Sequence, residues 1–101
     1  MIELLRLIAH VDPKCREEGA DRAADWAAGL PRSEATTLAT VLAASAACEE
    51  DLGALEAQLH AILEISSTGQ VNVENLQYLQ QIDRTAVTEE IRQYVADLLE
   101  E

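Results

Sequence analysis

The chain has 101 residues, 49% of them hydrophobic, a formal charge of −12 and a pI near 4.3. A chain of this length builds one domain around one core, and its seven Lys and Arg are too few to grip the phosphates of DNA, RNA or an anionic membrane surface. With Trp26, Tyr78 and Tyr94 as its only aromatics, it also lacks the material for a base-stacking platform or an aromatic cage.

Apolar residues recur at the period of about 3.6 that marks amphipathic helices, and strand-like alternation is nowhere sustained, which predicts an all-α fold. A first helix is expected from Ile2 to about His10. Asp12 stands as N-cap before Pro13, which tolerates only a helix's first turn, so a second helix is expected from Pro13 to about Ala28. It carries Ala20, Ala23, Ala24 and Ala27 on one face and stops at Gly29. Ser33 is the expected cap of a third helix reaching about Ala47, with Leu38, Val41, Leu42 and Ser45 on a shared face. Asp51 can open a fourth with Leu52, Leu55, Leu59, Ile62 and Leu63 as its apolar stripe, ending in the turn Ser66-Ser67-Thr68-Gly69. Asn72 can cap a short fifth helix with Val73, Leu76 and Leu79. Asp83 or Thr88 can open a last one with Ile91, Tyr94, Val95 and Leu98. Six helices on short turns pair as three antiparallel hairpins, which either stack as a helical repeat or close into an irregular bundle.

Seventeen Ala fill space without much transfer energy, so the core rests on 26 Leu, Ile and Val. The chain begins MIELLRLI, with no cationic start or cleavage site, and has no apolar run near the ~20 residues of a membrane span. Together with only two cysteines, Cys15 and Cys48, this predicts a cytoplasmic protein with reduced thiols.

No residue set for catalysis emerges. The four glycines are isolated, which excludes a phosphate-cradling loop. His10 can approach Cys15, and His60 can meet Cys48 across a hairpin, but neither pair supplies the three or four ligands of a metal site or the third group of a Cys-His nucleophile. The run EEDLG at positions 49–53 lacks the loop spacing of an EF-hand, and no Asp-Ser-Leu tripeptide offers the attachment site of an acyl carrier. No enzyme activity, metal or cofactor is predicted.

Charge is distributed unevenly along the chain. Arg6, Lys14, Arg16, Arg22 and Arg32 lie in the first third, where Glu3, Glu18 and Asp25 stand at helical pairing distance. From Ser33 to Asp83 there is no Lys or Arg, while Glu34, Glu49, Glu50, Asp51, Glu56, Glu64, Glu74 and Asp83 add eight negative charges.

The segments LEAQLHAILEISSTGQV, LQYLQQIDRTAV and EIRQYVADLLEE resemble the small acidic HEAT-like proteins of actinobacteria, some of which are associated with toxin systems as candidate immunity proteins. The resemblance covers about half of the chain and is carried by packing residues, so it implies a fold of helical hairpins and transfers no binding residue. Tyr78 with Asp83 is a loose analogue of the Tyr-plus-acid pattern of nuclease-colicin immunity proteins.

Two functions follow from different classes. In the first, the chain is a binding module whose acids Glu49, Glu50, Asp51, Glu56, Glu74 and Asp83 meet a basic protein, in the specific form a nuclease-like toxin whose cationic site is occluded, with Tyr78 and Trp26 as aromatic anchors. In the second, it is a scaffold, most simply a homodimer, whose acidity serves only solubility.

Overall fold

Polar side chains standing just before apolar runs start three of the helices in the computed structural model, which describes all of residues 1–101. Asp12 accepts the Lys14 amide at 2.9 Å and, with Pro13 in the first turn, opens α2 (Pro13–Trp26). Asp51 accepts the Ala54 amide at 2.9 Å and opens α4 (Leu52–Ser66). Thr88 accepts the Ile91 amide at 3.2 Å and opens α5 (Glu89–Leu98). Two helices, α1 (Ile2–Ile8) and α3 (Arg32–Cys48), start without a side-chain cap. Ser33, expected to cap α3, lies inside it. Pro31 takes the N-cap with φ −62° and ψ 155°, a conformation its ring already favours, and its carbonyl receives the Ala35 amide at 2.8 Å.

The second helix tightens into a single 3₁₀ turn at Ala27–Gly29, and the expected fifth helix is a 3₁₀ segment over Val73–Gln81, kinked at Leu76 (φ −109°, ψ 15°), which we refer to as the 3₁₀ helix. Asn72 precedes it, its amide held by the Asn75 side chain at 3.1 Å. Leu76, at the kink, and Leu79 are buried, as is Ile82, the extended residue just beyond the last turn.

The result is an all-α bundle of six helices without strands. The fourth helix is its centre, packed against α2, α3 and α5, while α3 also carries the 3₁₀ helix and α1 lies on α2. Of the three expected hairpins, α1 with α2 and α3 with α4 pack along each other, whereas the 3₁₀ helix and α5 barely touch. The stronger contacts instead join elements two places apart, giving two layers and a slab of 35 × 30 × 17 Å. Gln70, after α4, donates to the Leu30 carbonyl at 3.0 Å and ties the two turn regions together.

One cluster of 23 buried apolar residues fills the space between the layers. Its face on α3 is Ala35, Leu38, Ala39, Leu42, Ala43 and Ala46, steps of three and four; Val41 and Ser45 are only half-buried. The face on α4 is centred on Leu55, Leu59, Ile62 and Ile65, and Leu52 and Leu63 fall outside it, 45% and 38% exposed. Small residues bring the helices close: a Cβ on Gly19 of α2 would stand 2.9 Å from both the Ile8 nitrogen and the Leu7 Cβ of α1.

Candidate functional site

The corner between α3 and α4 is built around a carboxylate. Glu49, extended at φ −76° and ψ 125°, turns the chain out of α3, and its side chain is only 1% exposed. Arg16 of α2 grips it in a two-pronged pair, Nε to Oε1 and Nη2 to Oε2, each 2.7 Å. The Gln58 amide donates to Oε1 at 2.8 Å and the Asp51 backbone N–H to Oε2 at 3.1 Å. Arg16 Nη1 donates to the carbonyls of His10 and Val11, at 2.9 and 2.8 Å, so the same side chain also fixes the α1–α2 turn. Burial pushes the Glu49 carboxyl up, but the hydrogen bonds from Arg16, Asp51 and Gln58 outweigh it and hold the group below its ordinary value. Glu49 is thus internally neutralised, and the acidic stretch beginning at Ser33 is compensated at this one position by a cation from α2. Of the same-helix pairs expected in the first third, only Arg22 with Glu18 forms, at 3.2 Å.

Beside this corner lies a groove of about 600 Å³ between the last turn of α3, the first turn of α4 and the loop that follows the 3₁₀ helix. Ala46, Ala47, Leu52, Leu55, Ile82 and Val87 are among its apolar lining residues, and Glu49, Glu50 and Asp83 supply carboxylates, that of Glu49 already held by Arg16. The Thr85 hydroxyl, at 2.6 Å, and amide, at 3.0 Å, both donate to Asp83 Oδ1, which lowers that carboxyl's pKa and fixes the turn that carries it. A second, more polar groove of about 670 Å³ runs along the 3₁₀ helix and contains Glu74 and Tyr78. Gln81 lines both, so Glu50, Asp83, Glu74 and Tyr78 share one continuous side of the molecule. No Lys or Arg lines either groove.

No family model matches the chain, and no curated protein and no solved structure matches it significantly. The site is therefore read from its own residues.

Two predicted residues lie apart from the others. Asp51 is exposed, and its Oδ2 caps α4. Glu56 belongs to a third groove, of about 480 Å³, with Glu17, Asp21, His60 and Tyr94, where α2, α4 and α5 meet. Trp26 and Tyr78 are each 47% exposed, neither of them core residues.

The histidines and cysteines pair differently from the expectation. His10 lines a surface hollow with Cys48, and its Nδ1 accepts the Asp12 amide at 3.0 Å. His60 stands 3.8 Å from Glu64 on its own helix. No group of three or more His, Cys, Asp and Glu side chains is placed to hold a metal ion. No helix is long and apolar enough to cross a membrane.

Sequence reasoning missed Leu52, Ala47, Ile82 and Val87 as groove residues. Spacing gave no signal at Leu52, which stands three residues before Leu55 and seven before Leu59 and so on their stripe; it is exposed because it lies in the first turn of α4.

Proposed function

We propose that the chain is a non-enzymatic binding module that docks a basic protein against the groove at the α3–α4 corner and the adjoining face of the 3₁₀ helix. The observation that carries this reading is a groove lined by apolar side chains and three carboxylates, of which Glu49 is held by Arg16 while Glu50 and Asp83 form no ion pair, with no Lys or Arg in its lining. Such a surface offers the two components of a specific interface: apolar area to slow dissociation, and charge to speed encounter and select the partner. Tyr78, half-exposed on the same side, is an aromatic anchor of the type enriched in interface hot spots. In its most specific form the partner is a nuclease-like toxin, and the acids occupy its substrate cleft in place of phosphates. This form draws on the resemblance to small acidic HEAT-like proteins of actinobacteria, some of which are candidate immunity proteins.

The test is capture of partners from the native lysate at low salt by the tagged protein, in parallel with a Glu50→Lys/Asp83→Lys variant, with the retained proteins identified by mass. One basic protein held by the native chain, released by salt and lost by the variant is the expected result. Equal retention by the variant would place the interface elsewhere. Recovery of the chain alone, at twice the monomer mass in light scattering, would replace this reading with the homodimer.

A further inference from the structure

Resting on that reading, we propose that the α3–α4 groove takes an arginine side chain of the partner, its guanidinium between Glu50 and Asp83 and its stem on the apolar wall. Besides the two carboxylates, the groove has helix ends of negative character, and the positive end of α4, which also lines it, is offset by the Asp51 cap. The last turn of α3, at Ala46, Ala47 and Cys48, lines it, and so does Gln81 at the end of the 3₁₀ helix; neither last turn contains a basic residue. The carbonyls of Ala47 and Cys48 receive no hydrogen bond from elsewhere in the chain. The carbonyl end of a helix carries roughly half a negative charge, so a donor cation is favoured there.

The chain's nearest cations are committed elsewhere. Arg84, next to Asp83, pairs through both terminal nitrogens with the Glu101 carboxylate. Arg92 donates to the carbonyls of Arg84 and Val87, each at 3.1 Å, and to Glu89 at 2.7 Å. These bonds hold the loop that forms one wall of the groove and leave its acids free for an incoming cation.

Arginine suits this groove better than lysine. A guanidinium is less strongly hydrated than an ammonium, lies flat against apolar walls and presents several donors in a plane, which matches two carboxylates and free carbonyls at once. A bare metal ion is disfavoured because no three ligating side chains converge.

The experiment follows the backbone amide resonances of the isotope-labelled protein while a blocked hexapeptide of alternating Arg and Leu is added. The controls are the same peptide with citrulline, which is neutral and nearly isosteric, and with lysine. Shifts at Cys48, Glu50, Leu52 and Asp83 to Val87 are expected, weakened about tenfold or more by citrulline and by Glu50→Gln/Asp83→Asn, as for the loss of charge-assisted hydrogen bonds. Asn at position 83 keeps the oxygen that accepts from Thr85, so the loop remains formed. Equal binding of the citrulline peptide, equal binding of the lysine peptide, or no shift in the groove would each overturn the proposal. Shifts confined to Glu17, Asp21 and Glu56 would overturn it too, while leaving an acidic docking function in place at another groove. Arginine binding here together with a failed lysate capture would instead sink only the wider reading.

Discussion

Glu49 shows how a residue's chemistry can be set by a partner far away in the chain. Its run, Glu-Glu-Asp, reads as a surface patch, yet one of the three is sequestered by Arg16, 33 residues earlier, and by Gln58. Nothing local marks that difference, because the pairing depends on how α2 lies against the α3–α4 corner. Replacing Glu49 with Ala should cost about 2 kcal/mol, below the roughly 3–5 of a fully enclosed pair, since Arg16 can turn to water. Urea unfolding measures this, and an unchanged midpoint would mean that the pair contributes nothing. Gly19 is a second position whose constraint arises only in the folded chain. Its Ala variant should gain helix propensity of about 1 kcal/mol but lose more, roughly 1–3 kcal/mol, to the clash with the Ile8 backbone. Gly29→Ala, where an added Cβ meets nothing within 4 Å, should be nearly neutral in the same assay.

At the level of elements, what was legible was what is local. Asp12, Asp51 and Thr88 cap amides two or three residues ahead, so their function is written in adjacent positions. Asp51 separates two roles cleanly. Asp51→Ala should lower stability by about 1 kcal/mol through loss of the α4 cap, whereas Asp51→Asn keeps an accepting oxygen and should stay within a few tenths of wild type. Thermal melts of both variants test this, and an equal loss in both would show that the charge rather than the cap matters. The short fifth helix was legible through Asn72 and through Leu76 and Leu79, which are buried, but its 3₁₀ form and the kink at Leu76 were not, since nothing in the spacing of Val73, Leu76 and Leu79 separates a kinked 3₁₀ segment from an α-helical turn. The pairing of helices was legible for the first two hairpins, whose connections are short. It failed for the last because the Asp83 to Thr88 loop, held by Arg84 and Arg92, lets α5 lie against α4 instead.

Over the whole molecule the charges oppose the fold more than they support it. Four of the seven cations are paired with carboxylates, and the remaining acids face one another across at least two sides of the slab. Raising salt from about 0.01 M to about 0.1 M shortens the reach of each charge from about 30 Å to about 10 Å, so the melting temperature should rise by a few degrees. A flat response would mean that the acids are too dispersed to repel. The effect of pH has two parts of opposite sign. Mild acidification toward about pH 5 begins to relieve the general repulsion and should stabilise. Glu49, held low against its own burial by its three donors, Asp83, held low by Thr85, and Glu101, held low by Arg84, lie below ordinary values of 4.5, 3.8 and 4.5. Groups with depressed folded pKa contribute stability that is complete above those ordinary values and is lost as pH falls through the folded ones. Stability measured by urea should therefore peak near about pH 5 and drop below about pH 4; a monotonic gain down to that range would show that these pairs are energetically silent. The 17 Å thickness of the slab has a further consequence. Two helical layers enclose one cluster of 23 buried apolar side chains, so the apolar side chains of the groove at the α3–α4 corner lie at the surface. A partner docked at the α3–α4 groove would cover these side chains from outside. Recognition should thus register as surface withdrawn from solvent, seen calorimetrically as a negative heat-capacity change on association.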